Sequence, residues 1–305
     1  MDTIGILITE REKVRKKFEK SISETEQDIQ IIKKWLGSQK HLPEISGDEV
    51  IEFFLTNCKY SIEKTKYVLD MYYTVRFIFP EIFEYSNPNL PHYHETLSTM
   101  TTIIPLPKMT AELQRIVVVK YSENVNSAYS PYKMIAHAAN LLEILSHEDL
   151  MMGLVVIFDN KNMKMEHVKK LTPTFFRKGL AIFENASSIR IAKIHIINHQ
   201  QRFMEVLFRI AKKFLKKKFL DRIFFHKDYN TLHQQVPQEL LPSDYNGKQM
   251  SLDKLEELWK VKFKEYGDRF DALHHMEINE DLREKPLENS EILGYYGNFK
   301  QLDID

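Results

Sequence analysis

Two side chains able to do acid–base chemistry stand out because each interrupts an apolar run. Asp159 ends the segment Gly153–Asp159 (GLVVIFD), and His195 lies inside Ile191–Asn198 (IAKIHIIN). A carboxylate at a strand end can serve as general acid or base, and an imidazole can pass protons near neutral pH. Neither has the company such chemistry needs. The chain contains no Gly-x-Ser-x-Gly elbow and no Gly-rich Walker or dinucleotide loop. The triplet Asn246-Gly247-Lys248 lacks the upstream glycine and the Ser/Thr of a phosphate loop. Asp159 therefore reads as a turn cap, and His195 as a core histidine with no paired carboxylate or nucleophile. His92 with His94, and His274 with His275, could touch a metal. A pair without a third ligand at useful spacing reads as surface histidines. These residues predict neither an enzyme nor a metal or cofactor site.

Bulk composition narrows the choice further. Lys+Arg and Asp+Glu number 43 each, so the net charge is zero. A general nucleic-acid binder needs a basic excess to neutralise phosphates. Hydrophobic residues make up 43% of the chain, enough for a sizeable core. Cys58 is the one cysteine, which rules out an internal disulfide and suits a reducing compartment. No secretory signal is read in Met1–Arg15, and no apolar run approaches the roughly 18 residues of a bilayer span. The expectation is a cytoplasmic protein without a transmembrane segment.

The elements that would position a site change character along the chain. Helices are predicted over Glu10–Lys20, Ser23–Gly37, Asp48–Asn57 and Ser61–Phe79. Ser23, with Gln27 and Asp28 following, is the expected cap of the second. In the last, Ile62, Thr65, Val68, Leu69, Tyr72, Tyr73 and Arg76 recur at helical spacing before Pro80 ends it. Residues 1–85 thus predict a helical domain. Residues 86–108 carry Pro88, Pro91, Pro105 and Pro107, and predict a connector with a short helix. Residues 109–270 predict an α/β domain. Apolar strands at Arg115–Tyr121, Gly153–Asp159, Ile191–Asn198 and Arg222–His226 alternate with helical patterns such as Pro131–Ser146, which suits a mainly parallel sheet. Ser251–Phe263 is the last expected helix; 271–305 is a C-terminal tail, in which Arg283–Asp305, with Pro286, Gly294 and Gly297, is expected to wrap the surface as loop.

The segment Gln200–Leu215 (QQRFMEVLFRIAKKFL) carries the functional argument. One helical line takes Phe203, Val206, Leu207, Ile210 and Phe214; a neighbouring line takes Met204, Phe208, Ala211 and Leu215. Arg209, Lys212, Lys213 and Lys216–Lys218 flank them. A surface helix needs only one apolar stripe. This pattern suits a lid whose one face covers an apolar cavity while the other meets an anionic membrane. It also suits a core helix with a solvated basic end.

In its motifs the chain resembles the CRAL-TRIO (Sec14-like) family, which includes retinaldehyde and tocopherol carriers. The resemblance rests on Phe53-Phe54-Leu55, Tyr60–Lys66, Leu69–Arg76 and Pro80–Phe83, and then on Gly153–Asp159, His167, Thr172-Pro173 and Arg190–Asn198. It continues through Phe214-Leu215, Arg222-Ile223 and Leu241–Gly247, and the ending Gly294–Leu302 resembles tails of the arthropod branch. The resemblance implies an α/β fold: a helical N-terminal domain beside a domain whose sheet floors an apolar pocket, closed by a gate helix. It implies pocket positions at Leu154, Val156 and Phe158 on the central strand, Ile182 and Phe183 on the next helix, and Ile194 on the next strand. The gate would supply Phe203, Val206, Leu207, Ile210 and Phe214. Gly179 stands where relatives carry a larger aliphatic residue, which enlarges the cavity. Ala136 and Asn140 stand where relatives carry serines, and Asn140 is either a hydrogen-bond partner for a ligand or an exposed helix residue. A basic cleft for phosphoinositides is implied at Arg190, Lys218 and Arg222, with Lys193 beside a fourth position occupied by Ala192. The cleft is incomplete, since Thr56 and Cys58 stand where basic residues are expected.

The expected partners are a hydrophobic small molecule (retinoid, tocopherol, carotenoid or other isoprenoid) and, transiently, an anionic membrane. Phospholipid exchange of the Sec14 type and a ligand-free interaction module are the alternatives.

Overall fold

The computed structural model describes residues 5–91, 93, 101–123 and 129–285. Helices come first: α1 (Arg11–Lys17), α2 (Ile22–Ser38), α3 (Asp48–Asn57), α4 (Ile62–Ile78) and α5 (Pro80–Phe83). Local chemistry sets their ends. Ser21, two residues before the expected cap, forms a capping box with Glu24: its hydroxyl accepts from Glu24 N, and the Glu24 carboxylate accepts from Ser21 N at 2.9 Å. The Ser-x-x-Glu spacing belongs to Ser21, which leaves Ser23 inside the first turn. Ser61 caps α4, and Pro80 begins α5 at the position where its missing N–H costs nothing.

A five-stranded sheet follows, β1 (Thr101–Met109), β2 (Arg115–Tyr121), β3 (Leu154–Asp159), β4 (Ile191–Ile197) and β5 (Ile223–Phe225). The strands lie in sequence order, with β1 antiparallel to β2 and the other pairs parallel. Between and after the strands run α6 (Pro131–Glu148), α7 (Met165–Lys170), α8 (Pro173–Ala186), α9 (Gln201–Ala211), α10 (Lys217–Leu220), α11 (Tyr229–His233), α12 (Leu252–Glu265) and α13 (Gly267–His275).

Two expectations need correction. Thr101–Met109, assigned to the connector, is a strand. Pro105 and Pro107 fit because β1 is an edge, where a missing ladder donor is tolerated, and its register shifts between Pro105 and Met109. The final expected helix is not the last, because α13 follows it. Near the end of the described residues, Arg283 bridges to Asp70 of α4 at 2.6 Å. The Gly294–Leu302 motif, His92 and His94 lie outside the described residues.

Strand alternation divides the sheet into two faces. Val117, Val156 and Ile194 pair across β2, β3 and β4, and so do Val119, Phe158 and Ile196. This face meets α8 and α9. The opposite face carries Val118, Ile157 and His195 in one row. Gly153 immediately precedes β3 at φ +141°, and a Cβ there would lie 2.4 Å from the Arg190 carbonyl oxygen. Only glycine fits that close approach, which seats β3 beside β4.

A buried ion pair locks the start of the chain to the sheet. Arg115 and Asp149 are both 0% exposed. Arg115 donates Nε to Asp149 Oδ2 at 2.8 Å and Nη2 to Oδ1 at 2.7 Å. Its remaining donors reach Leu106 O, Pro107 O and Ile8 O at 3.0, 2.7 and 3.1 Å. Farther along, Arg269 joins Glu44, ahead of α3, to Glu143 on α6.

Among the buried histidines, His195 and His137 are the ones held most firmly neutral. His195 approaches His226 Nε2 through Nδ1 at 2.8 Å, and its Nε2 has no partner among the described residues. His137 shares a 2.7 Å hydrogen bond with the Tyr93 hydroxyl and stacks on Phe263. Burial lowers each to about 3. An unfolded histidine takes up a proton near pH 6.5, which these sites refuse. Stability should therefore fall as pH drops below about 6.5, by up to about 1.4 kcal/mol per unit per histidine. Urea unfolding at pH 7.5 and 5.5 measures this. His137→Phe should flatten the dependence, and an unaltered one would mean that His137 is not held neutral.

Candidate ligand site

A cavity of about 230 Å³ lies where the N-terminal helices meet the sheet. Its floor is Ile103 and Pro105 of β1, Val117 of β2 and Leu154 of β3. α6 supplies Ile135, Ala138, Ala139 and Leu142, while α8 supplies Gly179, Ile182 and Phe183. The remaining wall comes from Tyr72, Val75 and Arg76 of α4 and Phe83 of α5. Helical periodicity explains these contributions: positions three and four apart share a face, as 135, 138, 139 and 142 do. The lining is almost wholly apolar. Ser187 lies at the edge with its hydroxyl donated to Phe183 O at 2.7 Å. Among the described residues of the wall, Arg76 is the one that is charged. Its Nη1 donates to Tyr72 O and its Nη2 to the Tyr72 hydroxyl at 3.2 Å. Its guanidinium also lies against the Tyr72 and Phe83 rings, 4.4 and 5.3 Å from their centres. Burial lowers its pKa to about 10, so it stays charged at neutral pH.

The structure divides the residues expected around a ligand. Leu154, Gly179, Ile182 and Phe183 line the cavity. Val156, Phe158 and Ile194 pack instead with Phe203, Val206 and Leu207 in a neighbouring cluster between sheet and α9. Ile210 is half-buried near the end of α9. Ala136 does not line the cavity; it packs with Met71 and Phe79 and with the lining residues Val75 and Ile182 from behind. Asn140 is neither exposed nor in the lining: it is buried and donates to Ser86 O at 2.7 Å and the Tyr93 hydroxyl at 3.2 Å. The wall from α4 and α5 went unread as a site because its spacing is that of any packed helix face.

α9 lies closed against the sheet. Met204 and Ala211, from the line expected to meet a membrane, are its most buried residues, and Phe208 rests on Phe225 with ring centres 5.4 Å apart. Both apolar lines are therefore at least partly covered, and Gln201, Arg202, Glu205 and Arg209 face solvent.

A second hollow of about 180 Å³ opens beside the first and shares Phe183 with it. Leu180, Phe214, Leu215 and Phe219 form its apolar part, while Lys216, Lys218 and Arg222 ring it with cations. Phe214 stacks on Phe176. Arg222 donates to Ile191 O, and Lys216 lies 3.7 Å from Glu184. Of the four basic positions, only Lys218 and Arg222 line this hollow. Arg190 is exposed elsewhere, and Lys193 reaches Gln235 at 3.5 Å.

Other chemistry-bearing residues have structural partners. Asp159 accepts from Lys161 N at 3.0 Å, as a turn cap should, and also from Asn198 and Tyr245. His274 and His275 are exposed. Among the described residues no group of three or more His, Cys, Asp or Glu could hold a metal ion. No described helix is long and apolar enough to cross a membrane.

Comparison with known proteins matches these parts to family models. Residues 99–247 match the CRAL/TRIO domain, and residues 21–93 match a Pinta-like, UBA domain. The chain belongs to the CRAL-TRIO family. Among CRAL-TRIO proteins, alpha-tocopherol transfer protein-like of Homo sapiens is 27% identical over 232 residues, covering 74% of this chain and 66% of that protein. The chain thus spans slightly under two thirds of the length of these curated relatives. Clavesin-2 of Homo sapiens is 34% identical over 96 residues, 31% of this chain and 29% of its own. A solved structure, described as the crystal structure of Sfh5, shows 13% identity and a TM-score of 0.43, covering 98% of this chain and 100% of that one.

Proposed function

We propose that this chain binds a hydrophobic small molecule and transfers it between membranes. The apolar cavity walled by α4, α6, α8 and the sheet carries the reading. Relatives named for alpha-tocopherol transfer support it, and the cargo class is a retinoid, tocopherol, carotenoid or other isoprenoid. Burial of each CH₂ contributes about 0.8 kcal/mol, so a chain of modest length gains enough to leave water. A closed cavity also opposes release. α9 resolves the conflict as a gate: contact with lipid favours a state in which its apolar stripe faces the membrane, and cargo leaves. Two conformations are differentially stabilised, with no bond chemistry. Lys216, Lys218 and Arg222 favour anionic surfaces, each contributing about 1 kcal/mol near such a membrane.

Organic extraction of protein purified from its native source, read by mass spectrometry, tests the cargo. A stoichiometric isoprenoid is expected. A stoichiometric phospholipid would move the reading to Sec14-type exchange, and a chain that takes up none of these would sink it. Transfer to vesicles tests the gate. Release should be faster to anionic than to neutral vesicles, and the Lys218→Ala/Arg222→Ala variant should lose several-fold of that difference.

A further inference from the structure

The cavity has one feature that an isoprenoid hydrocarbon does not require. Arg76 carries a full charge in an otherwise apolar wall. A guanidinium presents five N–H donors in a planar fork. Two are accounted for, and both go to Tyr72. Arg76 lies in the last turn of α4, where a cation caps free carbonyls favourably. That role explains the bond to Tyr72 O. Among the described residues it leaves three donors without a protein partner.

No carboxylate lies within ion-pair distance of Arg76 among the described residues. The nearest acidic influence is Glu44. Both Glu44 oxygens are taken by Arg269, at 2.6 and 2.8 Å, and one also accepts from the Tyr73 hydroxyl. The Tyr72 and Phe83 rings hold the guanidinium by cation–π contact and fix its plane, but they carry no net charge. Arg76 is half-buried, so its spare donors remain within reach of a head group that enters along the cavity wall. A planar guanidinium with spare donors is the geometry that takes a carboxylate by two parallel bonds.

We propose that Arg76 is the head-group anchor of the cavity, and that the cargo is a long-chain monocarboxylate, a fatty or isoprenoid acid, with its carboxylate on Arg76 and its chain along the apolar wall. The proposal rests on the carrier reading and adds the chemical class of the polar end.

The test uses the full chain with palmitic, oleic and retinoic acids, each beside its methyl ester, in direct binding measurements at pH 7.5. The ester keeps the apolar chain and removes the charge. Wild type should bind the acids at least tenfold more tightly than the esters, the scale of a hydrogen bond to a charged group. Arg76→Gln should lose that preference and keep ester affinity. Arg76→Lys, which keeps charge without the fork, should retain part of it. Equal affinity of wild type for acid and ester would overturn the proposal and leave the carrier reading standing. Binding of neither would remove both. The wild-type comparison decides the matter even if Arg76→Gln fails to fold.

Discussion

Asp149→Ala should destabilise the protein by about 3–5 kcal/mol, the cost of stranding one member of a buried ion pair. Arg115 would remain fully buried with Nε and one Nη2 donor unmatched. Asp149 also accepts from the Thr9 hydroxyl at 2.6 Å and Leu150 N at 2.9 Å, so the loss reaches beyond the pair. Much of a typical stability of about 5–15 kcal/mol would go. Denaturant midpoints measure it. The double variant Arg115→Met/Asp149→Leu separates charge from packing, because removing both charges is often much less harmful than removing one. A single variant within 1 kcal/mol of wild type would show that the pair is dispensable.

Gly179→Phe should cut affinity for apolar cargo about a hundredfold with little loss of stability. Gly179 lies on the cavity wall in the middle of α8. A Cβ there would meet only Ile135 Cδ1, at 3.4 Å, so a small shift of that side chain admits it. Replacing a mid-helix glycine also removes a backbone cost of about 0.5–1 kcal/mol. An aromatic ring would occupy the volume of about four CH₂ groups of cargo, about 3 kcal/mol at 0.8 kcal/mol each, or roughly a hundredfold. Calorimetric titration of the lipid found by extraction provides the measurement. A folded Gly179→Phe protein with unchanged affinity would place cargo elsewhere.

The sequence made some elements legible because one physical signal dominated them. The expected α3 (Asp48–Asn57) and β2 (Arg115–Tyr121) match the observed bounds, since acidic residues open the one and β-branched residues fill the other. β1 was hidden by its two prolines, which mark loops everywhere except at the edge it occupies. The site was legible by halves. A strand's alternation tells which residues share a face, and Leu154, Val156 and Phe158 do share one. It does not tell whether space or side chains lie over them, and here Phe203 and Leu207 pack beside Val156 and Phe158. Helix rotation was the harder quantity. Ala136 and Asn140 lie one position from the cavity-lining Ile135 and Ala139, and one residue is about 100° of turn. Arg76 was read only as a member of a helical repeat, because its importance depends on what α4 faces.

The cavity is walled partly by α4 and α5 and partly by the sheet and the helices that follow it. Whatever fills it becomes shared interior for both parts of the chain. Occupancy and folding are then linked, and each further tenfold of free cargo above its dissociation constant adds about 1.4 kcal/mol to the folded state. Chains without cargo are the ones that open most often and meet proteases first. The standing amount of such a protein in a cell then follows the supply of the molecule it carries, so carrier and cargo rise and fall together without a separate sensor.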